Sequence, residues 1–350
     1  MARRVPTPNV PDPLTARFAQ DLTALAGPLA SGTRIGLAVS GGSDSLALLL
    51  LADAAFPGKF IVATVDHGLR PEAAEEAAQV GRICAGKNIR HTILDRSYLT
   101  EYEADLADQP QDGQESRGNG GNVQHKARVL RYRLLGQWAA TEGLSHVATA
   151  HHRDDVAESF LMRALRGSGS GGLARMRAVT PMPYSSDPDV RLIRPLLGWS
   201  RAELAGIVND AGLPIVQDPS NDDPRYDRAR VRALLQRETM LDPEALSRAA
   251  TNLADAEAAL EWMAEQAWRS RVRVQDADAI QLDPGDLPRE IRRRLAARAV
   301  AALSPAWKGD GLEPMLAQLE VEKSATLAGV KATGGALWRF DIAPAHSGHR

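Results

Sequence analysis

The chain has 350 residues, 44% hydrophobic and 25% charged, with a formal net charge of −2, the balance of a globular protein long enough for more than one domain. Its single cysteine, Cys84, excludes an internal disulfide, a CxxC redox pair, a cysteine-based zinc site and an iron–sulfur cluster held by this chain alone. No apolar run approaches the ~18 residues of a membrane span, and MARRVPTPNVPDP lacks the apolar core of a signal peptide, so a cytoplasmic protein with no membrane partner is expected.

Residues 1–30 are expected to form an N-terminal extension and a helix. A β-rich run over Arg34–Ser40 follows, then Ser40-Gly41-Gly42-Ser43-Asp44-Ser45, then a helical run to about Ala55. A strand-to-helix turn of this kind points unpartnered N–H groups outward at the positive end of the helix dipole, which favours an anion. Two glycines let a phosphate reach the backbone. No lysine follows them, so this is not the Walker pattern, and a plainly capped helix start is the alternative.

Further strands are expected at Phe60–His67, His91–Asp95 and His146–His151, with helices at about Pro71–Gly86, Gln124–Glu142 and Asp154–Arg166. The βαβα order predicts an α/β fold with a doubly wound parallel sheet that binds ligands at the carboxyl ends of its strands. Three motifs fall at those ends: SGGSDS, Asp66-His67-Gly68, and His151-His152-Arg153-Asp154-Asp155. The polar stretch Gln109–Asn122 reads as a mobile surface loop whose job, if it has one, is that of a lid. A second flexible stretch spans Gly167–Gly172.

On the helix after the fourth strand, Asp154 and Glu158 are four apart and Asp155 and Glu158 three apart, so the carboxylates share a face. Near a phosphate site such a group suggests Mg²⁺, with a solvated, capped helix start as the alternative. His151 and His152 read as hydrogen-bonding or substrate-contacting residues, since no cysteine and no HExxH spacing accompanies them. Only six of the 42 basic residues are lysine, and the arginines cluster at Arg225, Arg228, Arg230, Arg232 and Arg237, and again at Arg289, Arg292, Arg293, Arg294 and Arg298. The second cluster is expected on a helix that contacts phosphates, or else on a solvated face pairing with acids. The expected domains are a catalytic one over 31–225, a smaller, mainly helical one over 226–340, and a tail over 341–350.

SGGSDS resembles the PP-loop of the ATP pyrophosphatases, which split ATP between its α and β phosphates. Together with VDHGLR (Val65–Arg70), ARVLRYRLL (Ala127–Leu135), AHHRDDVAESFLMRALRGSG, RLIRPLL (Arg191–Leu197) and DPSNDDPRYDRARVR (Asp218–Arg232), it resembles the tRNA(Ile)-lysidine synthetase family over roughly residues 34 to 235. That resemblance implies a PP-loop fold and ligation of free L-lysine to C2 of the wobble cytidine of an isoleucine tRNA with a CAU anticodon, using ATP and Mg²⁺. It implies that Ser40, Gly41, Gly42, Ser43, Asp44 and Ser45, with Asp66 and His67, bind ATP, and that Asp44 is the Mg²⁺ partner. It further implies catalytic roles for Asp44, Asp155, Glu158 and Arg228, and substrate contacts from His151, Asp154, Arg194 and Arg128. The C-terminal region is expected to bind tRNA in a short form without the further domain of longer members, and a homodimer stays open. Ala229 stands where many members carry Asn. A PP-loop thiolase would need further cysteines, and a non-catalytic nucleotide- or tRNA-binding protein would not need Asp44, Asp155 and Glu158 intact.

Overall fold

The computed structural model describes residues 10–30, 32–68, 72–99, 119–174, 176–216, 223, 225–276 and 278–343. Arg70, residues 217–222 and most of the expected lid, 109–118, lie outside the described residues, as do 1–9 and 344–350 of the two expected end segments. The chain forms two compact units, Met1–Ala254 and Asp255–Arg350.

The first unit holds a six-stranded sheet of β1 (Ile35–Ala38), β2 (Phe60–Val65), β3 (His91–Leu94), β4 (His146–Ala148), β5 (Val179–Pro181) and β6 (Arg191–Ile193). Its order is β3-β2-β1-β4-β6-β5, parallel throughout except that β5 runs antiparallel to β6. Pro181 is tolerated there because β5 is an edge strand, where a missing N–H costs no ladder bond. The chain steps outward from β1 to β3 and returns to lay β4 on the other side of β1. The crevice between the carboxyl ends of β1 and β4 is therefore the switch point of the sheet.

Both faces of the sheet are covered. On one lie α1 (Asp12–Ala26), α2 (Ser43–Ala55), α3 (Ala73–Gly86) and α7 (Arg201–Asp210), packed through Phe18, Leu22, Val80, Cys84, Leu204 and Val208. Helix α2 is apolar on every side and is buried from Ser45 to Ala52 between β1, α1 and α7, which explains why it shows no helical polar stripe. On the other face, α4 (Asn119–Thr141) packs Leu134, Leu135 and Trp138 against β2 and β4. Gly36 in β1 makes room for that ring: a Cβ there would lie 2.5 Å from Cζ3 of Trp138. Helix α4 starts five residues before the expected Gln124. The poor helix formers Gly120 and Gly121 hid that start, and the last four residues of the expected loop are helical.

Between β4 and β5 come α5 (Arg153–Ala164) and the short α6 (Ser170–Leu173), and after α7 comes α8 (Asp227–Arg237). Helix α8 packs on α5 and sends Arg228 and Arg232 to its carboxylates. The division between units accordingly falls inside α9 (Pro243–Arg271) and not at the expected 225/226.

The second unit holds the expected helices, here α10 (Arg289–Leu303) and α11 (Leu312–Glu320) after the end of α9. With them comes an antiparallel sheet of β7 (Val272–Asp276), β8 (Ala279–Leu282), β9 (Ser324–Leu327), β10 (Val330–Thr333) and β11 (Trp338–Ile342). The order is β7-β8-β11-β10-β9, and alternate residues Val330, Ala332, Trp338 and Phe340 enter the core. The arginines of α10 all face acids. Arg289 pairs with Glu313, Arg292 with Glu320, Arg293 with Glu290, Arg294 with Glu257 and Glu290, and Arg298 with Glu265 while stacking on Trp268. Of the two expectations for this cluster, the structure carries the acid-paired face.

Candidate active site

The turn Ser40–Ser45 leaves the carboxyl end of β1 and starts α2. Ser45 Oγ accepts from the Ser40 backbone N–H at 3.1 Å and donates to the Gly42 carbonyl at 2.9 Å, so the turn closes on itself. Gly41 adopts φ +86°, and its carbonyl accepts from the Val216 N–H at 3.0 Å; a Cβ at Gly41 would lie 2.8 Å from Val216 Cγ2. Only glycine meets both demands. Gly42, the N-cap of α2, offers no side chain to the first N–H groups of the helix, which leaves them for an anion.

At the end of β2, Asp66 accepts from the Gly68 N–H at 2.8 Å in an Asx turn. His67 Nε2 lies 3.3 Å from an Arg131 guanidinium nitrogen; burial first, and Arg131 second, push the imidazole down to about 4, so it is neutral near pH 7.

At the end of β4, His152 is the fully buried N-cap of α5. Its Nε2 lies 3.4 Å from Asp44 and 3.6 Å from Asp155, and its Nδ1 lies 3.6 Å from Asp154, distances of ion pairs more than of hydrogen bonds. Burial alone would lower its pKa, but Asp154 and Asp44, helped by Asp155, outweigh it and raise it to about 9. A buried imidazolium thus joins the Ser40–Ser45 turn to α5.

Asp155 accepts from the His152 N–H at 3.0 Å and from Arg228 at 2.6 Å. Burial alone would raise its pKa; the charges of His152 and Arg228 outweigh that and hold it down to about 2. Glu158, 1% exposed, accepts from Arg228 Nε at 2.8 Å and Arg232 Nε at 2.8 Å, with Arg201 at 3.4 Å. Asp154, which the resemblance places among substrate contacts, accepts from the Arg201 backbone N–H at 3.0 Å and braces the start of α7.

His151 lies beside this group, its Nδ1 2.9 Å from Thr149 Oγ1. Burial, against the pull of Asp155 and with Arg194, Arg228 and Arg128 in reach, drives it down to about 3. Asp155, Arg194, Arg228 and Arg128 thus all act electrostatically on one neutral imidazole. Arg194 is itself anchored, donating to the Arg177 carbonyl at 2.6 Å, and Arg128 stacks over Tyr132 at 4.8 Å. Sequence reasoning did not single out Arg201 or Arg232 as site residues. No local spacing signals them, because they reach Glu158 from helices 43 and 74 residues away in the chain.

Among buried polar side-chain atoms without a hydrogen-bond partner are Ser43 Oγ, Asp44 Oδ1, His67 Nδ1 and Arg194 Nε. All stand at the carboxyl edge of the sheet, where a polar ligand would satisfy them. Among the described residues no three His, Cys, Asp or Glu side chains gather to form a metal site by themselves. Cys84 is buried in α3 and its thiol is pushed up to about 12 by burial, then by Asp53, so it offers no thiolate.

A glycine-bearing anion turn without a Walker lysine, at the switch point of a doubly wound sheet, defines a PP-loop nucleotide-using domain, and the family model described as a PP-loop domain matches residues 14–239. The tRNA(Ile)-lysidine synthase of Novosphingobium aromaticivorans is 45% identical over 338 residues, 96% of this chain and 95% of that one. The tRNA(Ile)-lysidine synthase of Zymomonas mobilis is 42% identical over 323 residues, 91% of each chain. A U34-tRNA thiolase from Methanococcus maripaludis shares the fold, with a TM-score of 0.51 at 17% identity over 69% of this chain and 79% of its own. The chain belongs to the tRNA(Ile)-lysidine synthase family, ligases built on a PP-loop ATP pyrophosphatase domain.

Proposed function

We propose that the protein joins the ε-amine of free L-lysine to C2 of the wobble cytidine in an isoleucine tRNA with a CAU anticodon, in the cytoplasm, with ATP converted to AMP and pyrophosphate. The observation that carries the reading is one of placement. An anion-seeking turn and a buried carboxylate pair occupy the neighbouring ends of β1 and β4, joined by His152.

Two bonds must be exchanged. Cytosine O2 attacks the α phosphorus, the bond to the α–β bridging oxygen breaks, and pyrophosphate leaves. The lysine amine then attacks C2, the C2–O2 bond breaks, AMP departs with that oxygen, and a proton leaves the new C2–N centre. Ser43 Oγ and the free N–H groups at the start of α2 are suited to the phosphates. Asp44, with a buried oxygen lacking a partner, would hold Mg²⁺ together with phosphate oxygens, and the ion would supply positive charge against the leaving pyrophosphate.

Asp155 and Glu158 are suited to gripping the lysine ammonium. A carboxyl held near 2 stays ionised but is a weak base, so Asp155 binds the charge without keeping the proton. Fewer than about one free lysine in a thousand is neutral at pH 7, and that fraction is the nucleophile. Arg228, which holds both carboxylates, can pass its positive charge to the adenylated base or to a phosphate as the ammonium takes its place.

The test is incorporation of radiolabelled lysine into a CAU transcript, with ATP and Mg²⁺, against the same transcript carrying UAU. Label only in the CAU transcript is the expected result. AMP formed on adding tRNA without label in either would leave the PP-loop chemistry standing and remove lysine as the nucleophile.

A further inference from the structure

A cleft of about 310 Å³ opens between α5 and α8, separate from the buried carboxylates. Its apolar wall is Met162 of α5 and Leu165, the C-cap of that helix, with Val231 and Leu234 from α8. Leu165 is 69% exposed, and it lines the cleft together with Met162, Val231 and Leu234. At the rim, Arg166 and Arg230 both pair with the single carboxylate of Asp227. Two cations on one anion leave the mouth with a formal charge of +1.

The cleft and the site are linked through one helix. Met162 and Leu165 follow Glu158 on the same helix by four and seven residues, about 6 and 10 Å along its axis. We infer that this cleft takes the base of a nucleotide flanking the reacting cytidine in the RNA substrate, an inference that rests on the tRNA reading above. A cytidine that enters the carboxylate site must leave the stack of the anticodon loop, which uncovers an apolar face on its neighbour. Leu165, Met162 and Val231 cover that face, and the guanidinium planes at the rim stack on the base or meet its phosphate. The positive rim and the distance from Glu158 fit a polyanion already held at the site, which an amphipathic protein helix is not.

The test separates binding from turnover by retention of labelled transcript on a filter. Leu165→Asp should weaken the CAU transcript about tenfold and leave KM for ATP and for lysine within twofold, with Leu165→Ala showing a smaller loss in the same direction. A CAU transcript made abasic at one of the two flanking nucleotides should lose similar affinity for the native protein and lose no more for Leu165→Asp. Unchanged affinity of Leu165→Asp, or losses from abasic site and substitution that simply add, would overturn the inference. So would unchanged RNA affinity with an altered oligomeric state, which would assign the cleft to a second copy of the chain. A native protein that binds the transcript but incorporates no lysine defeats the functional reading, and that result is read in a different assay.

Discussion

Replacing Glu158 by Gln removes one negative charge from the contacts of three guanidinium groups while keeping the side-chain volume. In the native protein the carboxylate accepts from Arg228 and Arg232, each at 2.8 Å, and lies 3.4 Å from Arg201. After the change Arg228 retains only Asp155, and the other cations lose this acid. Breaking a fully buried pair costs about 3–5 kcal/mol. The arginines here keep some water, with side-chain exposures of 41%, 18% and 30%, so the lower end, about 3 kcal/mol, is the expected loss. For a unit of this size that shifts the melting temperature by about 6–12 °C. Thermal unfolding followed by circular dichroism reads the shift, and lysine incorporation at 20 °C reads the activity. Adding Arg232→Gln to the variant should restore part of the stability and none of the activity. A melting shift under about 2 °C in the single variant would mean that the carboxylate is not the electrostatic centre of this group.

Gly41→Ala should raise KM for ATP by at least tenfold and lower stability by about 2 kcal/mol, since the residue must hold φ +86° and avoid Val216; an unaltered KM counts against the turn as the phosphate site. His152 is raised above its unfolded value, so its stabilisation is complete below about pH 6.5 and is lost as pH rises through about 9. Melting temperature should therefore fall between pH 7 and 10, and His152→Gln, less stable at pH 7, should show a flatter profile there. Asp155 is held down near 2, so its contribution is full above about pH 4 and disappears as pH falls through 2; Asp155→Asn should leave the acid limb of the stability curve shallower. With free amine as the nucleophile, kcat/KM for lysine should rise about tenfold per unit from pH 7 to 8.5; a flat profile would require a base that takes the proton within the complex. Arg292→Glu with Arg293→Glu should lower the melting temperature of the second unit, because both arginines face acids there.

The βαβα rhythm and the three motifs were legible because each depends on neighbours in sequence: an apolar run, a glycine pair, carboxylates three and four apart. The sheet over residues 272–342 was not, since its strands are four or five residues long and show only two or three alternations each. The roles inside the site divide the same way. Asp155 and Glu158 share a helix face, which spacing predicts, whereas Asp154 turns to the Arg201 backbone because α7 happens to start there. His152 was visible as a histidine, but its charge follows from three carboxylates, one of them 108 residues earlier, at Asp44. Contacts of that range are decided by tertiary packing, and no local pattern encodes them.

The burial of α2 on every side has a dynamic counterpart. Amides in Leu46–Leu51 should exchange with solvent only when the whole unit opens, so their protection measures global stability. The Ser40–Ser45 turn is the beginning of that same rigid rod, and β1 fixes its other end. Its N–H groups are thus oriented before any nucleotide arrives, and the ordering entropy is met during folding and not at binding. On warming, nucleotide affinity should persist up to the unfolding transition of the first unit and vanish with it, with no earlier loosening of the turn.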